Sequence, residues 1–226
     1  MSPLPSSGVS APGKLSSVRA AEGEPWLSRA KETVKAGSGA TRTIAVGTII
    51  AKVLFAAPVI AAGGNTGDGA VANLTLGAAA EIGVYRLVCT DAAVNGGTFA
   101  VAAPSGVRLA DASVGVAYAN SHLAFTVQDG NTDFIVGDTI TITVAEGSGE
   151  VTALDLAASD GTQIAYGILT AAAHAPDGVT VSAVSINRHA QLISNDLVWP
   201  TGITVDQKAT ALAQLAARQI FVVDGY

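Results

Sequence analysis

The sequence predicts a mainly β protein with one or two short helices. Two observations carry that expectation. The chain is 49% hydrophobic but only 5% aromatic and 13% charged, so small and β-branched side chains dominate it, as suits strands joined by tight turns. Several stretches also alternate apolar and polar residues with a period of two. In Val84–Thr90, Tyr85, Leu87 and Cys89 oppose Val84, Arg86 and Val88; in Asp138–Val144, Ile140, Ile142 and Val144 oppose three threonines. Such alternation is the mark of a half-buried strand. At 226 residues the chain can form one large domain or two small ones, each with its own core.

Residues 1–20 hold three of the eight prolines, with serines and two glycines between them. Such a segment buries little apolar surface and is expected to be an extended arm. Its sizeable apolar side chains are Leu4, Leu15 and Val18. A first β-region is expected from Trp26 to about Ile60. Within it, Ile44–Ala62 approaches the length of a membrane span, but Lys52 sits in its middle and Pro58 would break a helix. Two buried strands around a turn are the better reading. The N-terminal residues have no charged region followed by an apolar one, so no secretory signal is expected.

The middle of the chain is set off by glycine. Gly63-Gly64-Asn65-Thr66-Gly67-Asp68-Gly69 opens it and Glu146-Gly147-Ser148-Gly149 closes it, as entry and exit hinges of an inserted domain would. Asn95-Gly96-Gly97 and Gln128-Asp129-Gly130-Asn131 are turn signals between short strands. Six or seven strands and a small β-sandwich-like fold are expected for 63–149, with residues 21–62 and 150–226 forming the body.

One helix is expected near the C-terminus. Thr204 and Gln207 have the spacing of a capping box, Asp206 lies in the first turn and Arg218 in the last. Ala209, Leu212, Leu215 and Ala216 are expected to form its apolar stripe, with Lys208, Gln214 and Arg218 elsewhere on the cylinder. Pro200 stops the preceding strand. Phe221, Val222 and Val223 read as a closing strand.

Little in the chain points to catalysis or to a cofactor. His122, His174 and His189 are far apart and no pair has metal-ligand spacing. Asp129–Asp133 resembles the start of a calcium loop, but the twelfth position, where a bidentate glutamate belongs, is Ile140. There is neither a nucleophile elbow nor a phosphate loop. The single cysteine, Cys89, excludes an intrachain disulfide and reads as a small core residue. A net charge of −6 with scattered Lys and Arg argues against nucleic-acid binding. Trp199, between Leu197-Val198 and Pro200, reads as a packing or interface anchor; Trp26, near the end of the arm, could pin the arm to the body or to a neighbour.

The C-terminal landmarks occur in a particular order. They are the Ala157–Gly161 turn, the strand start Tyr166-Gly167-Ile168-Leu169, the Leu197-Val198-Trp199-Pro200 step, and the Ala/Leu/Gln-rich helix ending in a β-branched strand. This order resembles the phage head decoration family, the family of lambda's small capsid-stabilising protein D. Val46-Gly47-Thr48-Ile49-Ile50-Ala51-Lys52-Val53 is similar to that family's turn-to-strand step near the other end. The resemblance implies a decoration-protein-like β-domain made from both chain ends, interrupted by residues 63–149. It implies a non-enzymatic capsid cement protein without cofactor or metal, bound as homotrimers on the outside of an expanded head. The major capsid protein would be its partner, with no direct contact to nucleic acid or membrane. The arm residues Leu4, Leu15 and Val18 would then meet coat protein, and Trp199, Pro200, Leu212 and Leu215 would serve body packing or the trimer interface. A surface-displayed adhesion or carbohydrate-binding module is the second reading.

Overall fold

The computed structural model describes residues 19–22 and 25–224. It is mainly β, with 45% strand and 10% helix. The chain divides into two compact units. Unit 1 comprises Met1–Lys52, Glu150–Leu156 and Thr162–Tyr226; unit 2 comprises Val53–Gly149 and Ala157–Gly161. The first boundary therefore falls at Lys52/Val53, not at 62/63. The physical reason is that β5 (Val59–Ala62) is hydrogen-bonded along its length to β12 (Thr139–Val144) of unit 2. The 157–161 turn also belongs there, because Asp160 O accepts the N–H groups of both Leu54 and Phe55.

Unit 1 is built on a closed five-stranded barrel. Its strands are β2 (Arg29–Val34), β4 (Ile49–Lys52), β13 (Val151–Ala153), β14 (Gly167–Leu169) and β16 (Val181–Ile186), in the order β13-β2-β16-β14-β4. Both faces of β4 are buried: Ile49 and Ala51 pack into one core cluster and Ile50 into another. That is why the strand reads as an unbroken apolar run rather than an alternation. Beside the barrel, β3 (Arg42–Ile44) pairs with β15 (Ala173–Ala175). A three-stranded sheet joins β1 (Arg19–Glu22), β17 (Ala190–Ile193) and β18 (Ile220–Val223). β17 and β18 run parallel, so a crossover must link them, and the helix α2 (Val205–Ala217) supplies it. The other helix, α1 (Pro25–Ser28), is a single turn.

The capping box of α2 is present, with Gln207 N–H donating to Thr204 Oγ1 at 3.2 Å and Thr204 N–H donating to Gln207 Oε1 at 3.0 Å. The helix phase differs from the expected stripe. Ala211 and Leu215 are buried, Leu212 is half-buried, and Ala209 and Ala216 are exposed. Three polar side chains expected away from the stripe make contacts that accompany the rotation. Lys208 lies over the Trp199 ring at 5.3 Å, and Gln214 accepts the Ala165 N–H. Arg218, at the C-cap rather than in the last turn, stacks on Tyr166 at 4.2 Å. Long cationic side chains cover apolar surface with their stems and keep their charge on an aromatic face.

A buried charge lies in the barrel. Glu32, in the inward phase of β2 with Val34, is 5% exposed. Its Oε2 is 3.0 Å from Lys52 Nζ on β4, and its Oε1 accepts from Ser185 on β16 and from Asn187. Asn187 also donates to Tyr166 Oη at 2.7 Å, while its backbone O accepts from Arg218 Nε. Lys52 Nζ stands 4.5 Å from the Tyr166 ring centroid. Burial alone would lower the Lys52 pKa, but its bonds to Tyr166 and Glu32 outweigh that and hold it above the ordinary lysine value.

Unit 2 pairs a five-stranded sheet with a three-stranded one around a single core, and holds eight strands among the described residues. The first sheet has the order β5-β12-β7-β8-β9, where β7 is Gly83–Ala93, β8 Gly96–Ala102 and β9 Ala112–Ser113. The second is β10-β11-β6, where β6 is Ala70–Leu76, β10 Ala117–Ala119 and β11 Leu123–Gln128. The alternations on β7 and β12 fall as the sequence indicates, with Tyr85, Leu87, Cys89, Ile140, Ile142 and Val144 in the core. The expectation of two buried strands within Ile44–Ala62 holds for β4 but not for β5, whose four residues are all exposed. β5 is an edge strand of a five-stranded sheet, and the three strands of the second sheet are too few to cover it.

Asp138 pins one corner of this unit. Its carboxylate accepts the backbone N–H groups of Thr66, Gly67 and Ile135 at 3.0, 2.9 and 3.1 Å. Gly67 is required there, since a Cβ would lie 2.6 Å from Phe134 Cδ1. Burial alone would raise the Asp138 pKa; the three donors outweigh it and leave the carboxyl below its usual range.

Two outcomes are expected. Lys52→Ala leaves a buried carboxylate without its cation and should cost about 3 kcal/mol, whereas Glu32→Gln keeps an acceptor for Ser185 and should cost about half as much. Both tryptophans lie in unit 1, so denaturant unfolding followed by tryptophan fluorescence reads the difference; equal losses would contradict the assignment. Asp138→Ala should cost on the order of 3 kcal/mol at neutral pH. Because the folded pKa is depressed, this contribution is complete above the unfolded value of about 3.9 and is lost as pH falls through the lower folded value. The gap between wild type and variant in far-UV circular dichroism melts should therefore narrow below about pH 4; a gap constant down to pH 2 would contradict it.

Candidate functional site

Unit 1 has a groove of about 290 Å³ beside Trp199. Its walls come from the β3–β4 connection (Ile44, Thr48), from β13 and Leu154, and from Val198-Trp199-Pro200. The last segment is held against β4 by Ile49 N–H to Val198 O at 3.1 Å and Val198 N–H to Gly47 O at 3.0 Å. Trp199 packs half-buried on the core, and its Nε1 is buried with no hydrogen-bond partner among the described residues. The groove is lined by apolar side chains together with Thr43, Thr48 and Thr201. It contains no acid, base or nucleophile.

The residues singled out from the sequence distribute as follows. Leu4, Leu15 and Val18 lie outside the described residues. Trp199 and Pro200 line the groove, Leu212 is half-buried, and Leu215 is fully buried in the same core cluster as Trp199. Trp26 is 79% exposed.

Among the described residues the groups singled out for chemistry do not come together. His122 Nδ1 lies 3.3 Å from Tyr85 Oη and 3.8 Å from Glu81. Ser105 Oγ donates to Glu81 directly at 3.1 Å, so the hydroxyl is held by the carboxylate and not by an imidazole base. Burial pushes the Cys89 thiol up, away from the thiolate that nucleophilic chemistry needs. His174 Nδ1 contacts Thr43 Oγ1 at 3.2 Å, far in sequence from the other histidines. Among the described residues no group of three or more His, Cys, Asp or Glu could hold a metal ion. In the calcium-like stretch and its surroundings Asp68 accepts from Thr132 N–H and Asp133 from Asn95 N–H, while Asp129 Oδ1 is buried with no hydrogen-bond partner among the described residues. Among the described residues no helix is long and apolar enough to cross a membrane.

Two surface properties distinguish the units. Unit 2 carries two arginines, no lysine and nine carboxylates, a net −7, while unit 1 carries +1. Every Phe and Tyr of unit 2 is buried, with Phe99 edge-on to Phe134 at 4.9 Å and Tyr118 tilted against Phe125 at 4.6 Å. Sugar sites usually present aromatic faces to solvent, and this unit presents none. Sequence reasoning missed the groove, the charge segregation and the Glu32 cluster; only the last had a local signal, a glutamate in phase with Val34.

No curated protein matches the chain. Among solved structures, two crystal structures of Xanthomonas campestris FlgL are similar, at 16% and 15% identity. Each has a TM-score of 0.31 and covers 48% of this chain, which spans only about a third of the FlgL chains, 34% and 33%. A likeness that low carries no argument about fold or role. The family model described as bacteriophage lambda head decoration protein D matches residues 10–220, nearly the whole chain including unit 2. The protein belongs to the family of the bacteriophage lambda head decoration protein D, a family of viral structural proteins of the phage capsid.

Proposed function

We propose that this protein is a cement protein that binds the outside of an expanded phage head as a homotrimer and clamps coat subunits against the pressure of packaged DNA. The family match over residues 10–220 carries this reading. The site chemistry agrees with it, since clamping needs complementary surfaces and avidity rather than a reactive group. The part of the expected arm that precedes β1, residues 1–18, acts as the shell-facing arm, with Leu4, Leu15 and Val18 against the major capsid protein; ordering such an arm adds contact area at an entropic cost. Trp199 and Pro200 at the groove, and Leu212 on α2, are only half-buried within one copy and form subunit contacts, and Leu215 packs the body. Unit 2 is an insertion carried on the body.

An electron-microscopy map of heads with and without the protein tests the reading. Added density at threefold positions is expected, and density confined to the tail would refute it. The arm is tested by deleting residues 2–18, which stops short of β1. The truncated chain should keep its trimer mass in light scattering yet lose head binding by at least about tenfold, the equivalent of 1.4 kcal/mol. Undiminished binding would overturn the role of the arm.

A further inference from the structure

The five-stranded sheet of unit 2 ends on β5, an edge strand of four residues that follows Pro58 and carries neither a charge nor a bulge. Val59–Ala62 contains no charge and no proline, and its register with β12 is unbroken. All four residues are exposed, Val59 by 63% and Ile60 by 40%. No residue from Val53 to Gly67 is charged, although unit 2 as a whole carries −7. The ladder fixes which backbone groups are free. Gly63 N–H donates to Thr139 O at 2.8 Å, and the same pairing recurs every second residue, at Ala61↔Thr141 and Val59↔Thr143. Those three residues turn their N–H and C=O groups towards β12. Ile60 and Ala62 turn theirs outward, where no strand among the described residues takes them.

We propose that this edge pairs with β5 of a second copy of the chain, antiparallel about a twofold axis through Ala61. In that register Ile60 lies opposite Ala62 of the second copy, and each such pair exchanges both backbone bonds. Ala61 meets Ala61 of the second copy as a non-hydrogen-bonded pair, with Cα atoms about 4.5 Å apart. Val59 falls opposite Gly63. Each larger side chain thus meets a small one, which makes the edge complementary to itself. Charge selects the same occupant. A charged partner would find nothing to pair with between Val53 and Gly67, whereas two copies can approach there despite the repulsion between the rest of their acidic units. Added salt screens that repulsion and strengthens the contact. Four residues give a weak contact alone; copies arrayed on a head would supply the effective concentration, and only this last point rests on the proposed function.

Ala61→Cys in the full chain tests the pairing. On oxidation it should give chain pairs joined through position 61, increasingly so with concentration and salt, because the expected Cα spacing is within disulfide reach. The native Cys89 is buried. Ser113→Cys, exposed on β9 at the opposite edge of the sheet, should cross-link about tenfold less, corresponding to 1.4 kcal/mol. Adding Ala62→Pro removes an outward N–H but no bond to β12, and should reduce cross-linking of Ala61→Cys by about tenfold with the far-UV spectrum unchanged. If that chain does not fold, Ile60→Lys, which places a charge at the same edge, gives the same comparison. Equal cross-linking at positions 61 and 113 would overturn the proposal, as would cross-linking that survives either edge substitution in a folded chain. On heads, coupling of position 61 to coat protein instead of a second copy would also overturn it.

Discussion

The contact on which unit 1 most depends is the one between Glu32 and Lys52. A carboxylate in the wall of a five-stranded barrel is costly to desolvate, and its attraction to one ammonium does not by itself repay that cost. The site works because the remaining valences are filled. Ser185 and Asn187 donate to the second oxygen, Asn187 also holds Tyr166, and Tyr166 carries a cation on its ring from both Lys52 and Arg218. β2, β4, β16, the segment entering β14 and the C-cap of α2 are thereby fixed in one arrangement. An apolar replacement of the pair could match the stability, whereas removing one partner alone leaves an uncompensated buried charge.

Unit 2 solves its packing problem differently. Its core is made of aliphatic and aromatic side chains with few polar atoms, and several of its carboxylates accept backbone N–H groups. The result is an acidic module that has no lysine and exposes no aromatic ring. Such a surface suits a protein present in many copies on one particle, because like charge discourages indiscriminate contact and leaves association to the few places where charge is missing.

Much of this was legible in the sequence because local and tertiary demands agree. Threonine alternating with Ile140, Ile142 and Val144 reads as a strand with one wet face and is one. Thr204 and Gln207 read as a capping box and form it. What misled was context. Val59-Ile60-Ala61-Ala62 is as apolar as a buried strand, yet its position at a sheet edge leaves it exposed, and no local pattern encodes position in a sheet. The phase of α2 goes with Lys208 and Arg218 lying on aromatic rings supplied by distant segments. Glu32 was masked by Lys31 and Lys35 around it, although its register with Val34 points inward. The groove could not be foreseen, because it forms where three separated stretches meet.

The wiring of the barrel has a consequence for how the chain folds. β2 and β4 precede unit 2 while β13, β14 and β16 follow it, so the barrel cannot close until most of the polypeptide exists. Bringing Lys52 and Val151 together as neighbours across an unstructured loop of about a hundred residues would cost on the order of 4 kcal/mol in chain entropy. The continuous stretch Val53–Gly149 holds all of unit 2 except its short 157–161 turn, and in the folded unit Gly149 N–H donates to Val53 O at 2.9 Å. Once the module has formed, its two ends emerge a hydrogen bond apart. The interruption that lengthens the sequence therefore shortens the search, delivering β4 and β13 to each other already in register.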